Sequence, residues 1–342
     1  MSTTEVRSFQ SLKSDLADAK VVTTTLDSPA PGEVLVRVEH FALTANNITY
    51  GVAGDSIGYW NFFPGEGDYG CIPVWGFGVI ERSAHPDLRE GTRLYGYFPM
   101  ATHVMLKPGD VEAFGFSDSV EHRSALPPIY NQYLFTSADP GYQADKEAEQ
   151  MLYRPLFTTS FLLDDFLAEN DFFAAGNILL TSASSKTSIG LAQLLSKRSG
   201  LKVIGLTSNA NVDFVAGLGC YDLTLSYDDI DQLPQAPSVL VDMAGSGKVR
   251  AAVHTHLADQ LAHSSAVGAT HWQDATVGGG AQDIPGPTPT MFFAPSQAQR
   301  RIKELGREGF EAALASAWQS FLTAAEDWIS AVSYTHLRAH ET

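Results

Sequence analysis

The chain has 342 residues, 44% of them hydrophobic and 18% charged, which is ordinary for a globular protein and long enough for two cores. Its 39 acidic against 22 basic residues give a formal net charge of -17, a field that repels nucleic acid and anionic membrane surfaces, so neither is expected as a partner. Cys71 and Cys220 are the only cysteines, too few for a disulfide framework or a Cys-rich zinc site, and they suit a reducing, cytoplasmic setting.

The opening Met1-Ser2-Thr3-Thr4-Glu5 has neither a basic nor an apolar leader region, and no apolar run approaches the roughly 20 residues of a membrane span. From 31 to about 107 the text is β-like. Val34, Val36 and Val38 alternate with Leu35, Arg37 and Glu39, the period of a half-buried strand. Further strands are expected at 74–80, 93–98 and 103–106, separated by Gly, Pro and Asp, as in a small antiparallel barrel or sandwich. The polar stretch from Ser137 to Gln150 reads as a loop. After Gly176 strands alternate with helices: strands at 178–181, 202–206, near Leu223, 239–242 and 265–268, helices to about 197, around 212–218 and over 248–261. Repeated units of this kind imply a parallel sheet with right-handed crossovers. A Gly/Pro-rich stretch, 271–290, precedes Met291-Phe292-Phe293 and an amphipathic helical pattern from 297 to about 332.

The first strand-to-helix junction reads Ile178-Leu179-Leu180-Thr181-Ser182-Ala183-Ser184-Ser185-Lys186-Thr187-Ser188-Ile189-Gly190. A strand that ends in small residues and turns into a helix lets backbone N–H groups and the helix dipole meet a pyrophosphate. Serines replace most of the glycines of the G-x-G-x-x-G text, and the same loop also reads as an ordinary Ser/Thr-capped helix. Lys186 favours the first reading. A cation in the first turn opposes the macrodipole by about 0.3–1 kcal/mol, a placement that makes sense where an anion sits. The second strand, Val203-Ile204-Gly205-Leu206, is followed by Thr207, Ser208 and Asn209 with no Asp or Glu to hold the adenosine ribose hydroxyls. Small polar residues there leave room for a 2′-phosphate, so NADP(H) is expected over NAD(H).

Four stretches then resemble the medium-chain dehydrogenase/reductase superfamily on its zinc-independent, quinone-oxidoreductase-like side. They are Pro31-Gly32-Glu33-Val34-Leu35-Val36-Arg37-Val38, Gly76-Phe77-Gly78-Val79-Ile80-Glu81, Glu90-Gly91-Thr92-Arg93-Leu94-Tyr95-Gly96 and the serine-rich junction. Leu43-Thr44-Ala45-Asn46-Asn47-Ile48-Thr49-Tyr50, Tyr59-Trp60-Asn61-Phe62-Phe63-Pro64 and Lys186 are similar to its DUF2855 branch. The resemblance implies an α/β protein, a Rossmann doubly wound parallel sheet plus a GroES-like β-rich catalytic domain. Residues 1–125, completed by 291–342, would form the GroES-like domain and 126–290 the Rossmann domain. Zinc-dependent members need a cysteine near Asn46 and a His-Glu pair near Trp75-Gly76, which this chain lacks, together with the structural zinc lobe.

The implied function is an NADPH-dependent, zinc-independent oxidoreductase that reduces a carbonyl or activated alkene of a small molecule. Tyr50 is the expected proton or hydrogen-bond donor, with Asn46 and Asn47 beside it. Ser182, Ser184, Ser185, Lys186, Thr187, Ser188, Thr207, Ser208, Asn209, Ala244 and Gly245 are the expected cofactor-binding residues. A small-molecule substrate and, at most, a second copy of the chain are the expected partners. Trp60, Phe62 and Phe63 read either as a pocket wall or as plain core. Two other functions stay open: a dinucleotide-binding protein without turnover, and a P-loop-like nucleotide hydrolase. The latter is suggested by Ser185-Lys186-Thr187 and Val239-Leu240-Val241-Asp242, but it needs glycines at Leu180 and Ser185. His254 with His256, and His336 with His340, have metal-like spacing, yet no metal site is expected and the first pair reads as helix surface. Residues 333–342 resemble translated adaptor sequence, so the native C-terminus is expected to be missing.

Overall fold

The computed structural model describes residues 3–52, 54–126, 128–267 and 284–332. The expected histidine pair His336 and His340, and most of the Gly/Pro-rich stretch, lie outside the described residues. The chain divides into two compact units, one of Met1–Leu152 with the residues after Ser330, the other of Tyr153–Ser330.

The first unit runs β1 (Thr4–Leu12), β2 (Asp15–Leu26), β3 (Val34–Phe41), α1 (Ala45–Val52), α2 (Gly54–Ile57), β4 (Tyr69–Gly70) and β5 (Pro73–Ser83). It continues with β6 (Arg93–Pro99), β7 (His103–Leu106), β8 (Pro108–Glu112), β9 (Gly115–Asp118) and β10 (Gln132–Phe135). Seven strands pair antiparallel in the order β7-β3-β5-β6-β10-β9-β8, and β2-β1-β4 form a second sheet. Val34, Val36, Val74, Ile80, Leu94, Phe98 and Leu106 share one buried core. Leu35 is fully buried too, so β3 is covered on both faces where its alternation suggests one. Trp60, Phe62 and Phe63 belong to this core rather than to a pocket wall. Trp75 stands opposite Tyr97 across β5 and β6, and Phe77 opposite Tyr95. Side chains alternate across a strand, so these four aromatics share one sheet face.

α3 (Glu147–Glu169) follows, a 23-residue helix whose residues from Tyr153 onward belong to the second unit. The expected loop over 137–150 is therefore shorter than read, because its last four residues open this helix. Beyond it come β11 (Asn177–Thr181), α4 (Lys186–Leu195), β12 (Lys202–Thr207), α5 (Val212–Gly217) and β13 (Leu223–Ser226). The chain then runs β14 (Ser238–Asp242), α6 (Gly247–Leu257), β15 (Leu261–Ala266), β16 (Thr290–Met291) and α7 (Ala294–Ala325). The sheet order is β13-β12-β11-β14-β15-β16, parallel throughout. Counted from its first strand this is 3-2-1-4-5-6, the order of the doubly wound dinucleotide-binding sheet. β11 and β14 are buried at every residue, as central strands covered on both faces must be.

The division at 152/153 differs from the expected 125/126, and residues 291–330 lie with the parallel sheet rather than with the β-rich unit. Pairing explains the first difference, since β10 is needed between β6 and β9 to complete the seven-stranded sheet. Packing explains the second. Phe310, Leu314, Trp318, Phe321, Leu322 and Ala325 recur at helical spacing on α7 and enter the same core as Ile178, Leu191 and Val241. Gly306, at φ 72°, breaks the helix just before this apolar stripe. Before β11 the chain makes a left-handed turn with four non-glycine residues, Asp171, Phe172, Phe173 and Ala174, at φ 47° to 58°. The Phe173 ring stacks on His263 at 4.0 Å, and the Arg198 guanidinium lies 5.2 Å from the Phe172 ring.

No helix of the described residues is long and apolar enough to cross a membrane. Close packing of α4 on α3 sets where the serine-rich junction starts. Ser160 on α3 donates to the Thr187 carbonyl at 2.7 Å, and a Cβ on Gly190 would lie 2.7 Å from the Ser160 oxygen. Gly190→Ala is therefore expected to lower the unfolding free energy by about 1–3 kcal/mol through overpacking. Urea denaturation checks this, and an unchanged midpoint would show that the two helices are not held in this contact.

Candidate functional site

Eleven of the residues singled out in the sequence gather at the C-terminal ends of β12, β11 and β14. At this edge the strand order reverses between β11 and β14, the place where open α/β sheets bind ligands. Ser182 leaves β11 with φ 50°, a left-handed conformation that turns the chain sharply, and its N–H donates to the Tyr227 hydroxyl at 2.9 Å. The Ala183 N–H donates to the Leu206 carbonyl, and Tyr221 donates to the Ala183 carbonyl at 2.8 Å. Ser185 caps α4 by accepting from the Ser188 N–H, and Ser184 accepts from Asn211.

Lys186 is the first residue of α4 and is half-buried. It forms no ion pair among the described residues, and its ammonium lies 5.8 Å from the Tyr153 ring. Burial pushes its pKa below the usual lysine value. The helix dipole adds to that push, because the positive end of α4 meets a positive side chain. Thr187 lies beside Lys186 in the same first turn, where N–H groups have no intrahelical acceptor. Ser188 is different: it is fully buried and its hydroxyl donates to the Thr181 carbonyl at 2.8 Å, so it serves the junction's shape rather than a ligand.

A buried carboxylate that sequence reasoning did not place at the site holds its centre. Asp242, at the end of β14, accepts from the Thr181 hydroxyl at 2.8 Å and from the Gly245 N–H at 3.0 Å, and its second oxygen meets Arg250 at 3.2 Å. The Ala244 N–H donates in turn to the Thr181 oxygen at 3.0 Å. Thus Ala244 and Gly245, both expected at the cofactor, are fixed to β11 through one hydroxyl. On the other side, Thr207 is buried, while Ser208 and Asn209 are exposed. The Asn209 amide donates to Asp228 at 2.7 Å, so a carboxylate does reach this strand end, supplied from beyond β13 rather than from β12. The signal for it, Tyr227-Asp228-Asp229 after a short strand, was in the sequence but not in its expected place.

Asn46, Asn47 and Tyr50 lie in the first unit on α1. Asn46 and Tyr50, four residues apart, share one face, and the Trp75 and Asn46 side chains both hydrogen-bond the Tyr50 hydroxyl. Asn47 does not join them. Its carbonyl oxygen accepts from the Thr44 N–H at 2.7 Å and its amide donates to the Pro73 carbonyl at 2.9 Å, so it caps α1 and ties it to β5. Tyr50 packs against Tyr59 at 4.7 Å and edge-on to Tyr97 at 5.7 Å. Burial, first, and the neighbouring Tyr59 raise its pKa to about 12, against the pull of Trp75 and Asn46.

His254 is fully buried rather than on the helix surface, with Nδ1 against the Pro285 carbonyl at 2.9 Å and Nε2 against the Ser264 hydroxyl at 3.0 Å. Among the described residues no three His, Cys, Asp or Glu side chains group so as to hold a metal ion. Cys71 and Cys220 are free and buried.

The sequence profile of the family described as "Protein of unknown function (DUF2855)" matches residues 41–341, which span both α1 and the serine-rich junction. The chain belongs to the DUF2855 family. No curated protein matches this DUF2855 chain significantly. Among solved structures it is similar to CurA in complex with NADPH from Vibrio vulnificus, with 13% identity and TM-score 0.55 over 94% of this chain and 88% of that one. It is also similar to the mitochondrial 2-enoyl thioester reductase Etr1p/Etr2p heterodimer from Candida tropicalis, with 10% identity and TM-score 0.54 over 96% and 91%. A third is S. aureus TarJ in complex with NADPH, with 10% identity and TM-score 0.52 over 92% and 89%. At these identities the likeness is one of fold: a Rossmann parallel sheet with a GroES-like β-rich unit, as in medium-chain dehydrogenases/reductases.

Asn47→Ala in this DUF2855 protein is expected to cost about 1–3 kcal/mol of stability, since a cap and a buried hydrogen bond are lost together. Thermal and urea unfolding check this, and a variant as stable as the parent would return Asn47 to the list of free site residues. A second expectation concerns alkali. Tyr50, Tyr97 and Tyr130 all have pKa values raised by burial above the 10.0 of an exposed tyrosine. Their contribution to stability is complete below about pH 10 and is lost as pH rises from there through about 12, because the unfolded chain ionises first. Unfolding midpoints should fall over that window, with phenolate absorbance appearing together with unfolding rather than before it.

Proposed function

We propose that this DUF2855 protein is an NADPH-dependent oxidoreductase that reduces a carbonyl or an activated alkene of a small molecule. The observation that carries this reading is Lys186: a half-buried cation without an acidic partner among the described residues, in the first turn of the helix that follows the first strand of a Rossmann sheet. A pyrophosphate supplies the missing anion. The enoyl thioester reductase and NADPH-complex likenesses support the same reading at the level of fold.

The residues fit a dinucleotide. Lys186 and Thr187 would hold the pyrophosphate through their backbone N–H groups and the ammonium, with the hydroxyls of Ser182 and Ser184 beside them, while Ser185 shapes the junction as the helix cap. Ala244 and Gly245, anchored by Asp242 and Thr181, would border the nicotinamide half, and Ser208 and Asn209 would face the adenosine ribose. When bound, the reduced nicotinamide supplies the hydride, and this chain's task is orientation and charge. Tyr50, held neutral by burial and oriented by Asn46, donates a hydrogen bond to the substrate oxygen as negative charge grows there. With its pKa near 12 it keeps its proton at neutral pH, so water completes the protonation.

NADPH is proposed over NADH because Ser208 and Asn209 offer neutral donors to a 2′-phosphate. Asp228 behind Asn209 works against a second negative charge, which makes the preference small and adjustable.

Lys186→Ala is expected to weaken NADPH and NADH alike, by about tenfold or more, the scale of a hydrogen bond to a charged group. Asp228→Asn should strengthen NADPH relative to NADH. Calorimetric titration of both cofactors checks the pair of variants, and unchanged affinities in Lys186→Ala would remove the junction as the pyrophosphate site. Once a substrate is found, Tyr50→Phe should lower kcat about 10²–10³-fold while leaving NADPH affinity intact. The Tyr50-dependent rate should stay flat from pH 6 to about pH 10, because its phenol ionises only near 12. A full-rate Tyr50→Phe enzyme would sink the assignment.

A further inference from the structure

Within the second unit α3 meets α4 along one face. Ser160 donates to the Thr187 carbonyl, the Phe157 ring closes on Gly190, and one turn earlier Tyr153 comes against Lys186. Residues 153, 157 and 160, spaced by four and three, are neighbours on a helix surface. Elsewhere α3 meets cations with carboxylates. Asp164 takes Arg198 through two hydrogen bonds of 2.7 Å, Asp165 takes Arg301 at 2.9 Å, and Glu169 takes Arg300 at 2.5 Å. Opposite Lys186 the same helix places an aromatic ring instead, its centroid 5.8 Å from the ammonium.

That ring is fixed from behind. Phe321 and Trp328, from α7 and the residues just after it, pack against Tyr153 with centroids at 5.7 and 5.9 Å, the second edge-on. The Trp328 indole is itself tied to the Ala324 carbonyl at 3.0 Å. Burial raises the Tyr153 pKa with no partner contributing, and its hydroxyl makes no hydrogen bond among the described residues, so packing sets the ring's place. On the lysine side, burial lowers the pKa and no carboxylate or second cation acts on the ammonium. From Ser182 to Leu195 the junction and α4 carry no other charged residue. Tyr153 is therefore the titratable group that faces Lys186.

The exchange of a carboxylate for a ring changes what the lysine can do. A carboxylate would claim the ammonium's donors and repel a phosphate. An aromatic face attracts the cation through its quadrupole and leaves the three N–H donors uncommitted. The attraction is weaker than a charge-assisted hydrogen bond, so an arriving anion takes the donors without first breaking an ion pair.

We propose that Tyr153 is a positioning residue: its ring holds the Lys186 ammonium in place of a carboxylate, so that the lysine's donors stay available to an anionic ligand. The pyrophosphate reading enters only as the identity of that anion.

Carbon NMR of the lysine side chains in the full-length protein without dinucleotide tests the hold directly, Lys186 being the resonance missing from Lys186→Gln. Tyr153→Phe keeps the ring and removes the hydroxyl. Mono-, tri- and pentafluorinated phenylalanines at position 153 keep the ring's shape while draining its negative face. The Lys186 pKa should be the same in Tyr153→Phe as in the parent and then fall stepwise, by about 0.4–0.7 in all at the pentafluorinated ring. Only the charged lysine holds an anion, so NADPH affinity should be equal across the series below that pKa. Above it, affinity should be about 2.5- to 5-fold lower for the pentafluorinated ring than for Tyr153→Phe. A Lys186 pKa that does not fall along the series, or that moves as far in Tyr153→Phe as with the fluorinated rings, would overturn the assignment whatever NADPH does. A pKa that follows the series in a protein whose NADPH affinity is indifferent to Lys186→Ala would keep Tyr153 as the holder of the lysine while ending the pyrophosphate reading.

Discussion

The Asp242 carboxylate ties together what the parallel sheet must hold still. It sits at the end of β14, fully buried, and reaches the last residue of β11 through the Thr181 hydroxyl. Those two strands flank the point where the sheet changes direction, and from it the serine-rich junction and the Ala244-Gly245 turn depart. A carboxylate taken out of water is stable only when its lone pairs are met, and here an O–H, an N–H and a guanidinium meet them. Removing one partner would leave a buried charge short of donors, so the two loops cannot drift independently. That rigidity is what the proposed pyrophosphate edge, made of serines, would require. Glycines let a backbone approach a phosphate by having no side chain, whereas these serines lie out of the way because Ser185 and Ser188 use their hydroxyls on the junction itself.

The β-rich unit follows the opposite policy. Its polar groups near α1 are not all consumed: Asn47 is fully committed to Thr44 and Pro73, but the buried Tyr97 hydroxyl has no partner. The contrast separates scaffold from surface. A side chain that satisfies every polar atom within its own chain has no capacity for a ligand. One that is buried and unsatisfied has been kept at a cost to stability.

Much of the second unit was legible because its strands are short, apolar and β-branched and its helices α4 and α6 begin at serines, so local pattern and tertiary structure agree. β11, β12, β14 and α4 lie within a residue or two of where periodicity puts them. Elements whose reason is non-local were not legible. The β1–β2 hairpin hides among threonines and charges that are half-exposed, and α3 carries Pro155 and a run of aromatics that mask its period. α7 could be read as a helix, but which core its Phe310-to-Ala325 stripe enters is not a property of the stripe. At the site, Lys186 could be singled out by its clash with the helix dipole, whereas Asp242 read as a strand end and Asp228 arrived from a different loop. Tyr97 and Trp75 gave no signal at all, since only the register between β5 and β6 brings them together.

The left-handed turn at Asp171–Ala174 has a consequence for how this fold can be altered. L-residues in that conformation cost roughly 1–2 kcal/mol each, so the four of them together hold back an amount comparable to the net stability of many domains. The stacking of Phe173 on His263 and the Arg198–Phe172 contact are what keep the chain there. A mirror-image backbone is the natural home of achiral or D-configured residues. Asp171 and Ala174, which take no part in those two ring contacts, are thus positions where glycine or a D-amino acid would relax the backbone without touching the serine-rich junction or α1, an unused reserve of thermostability.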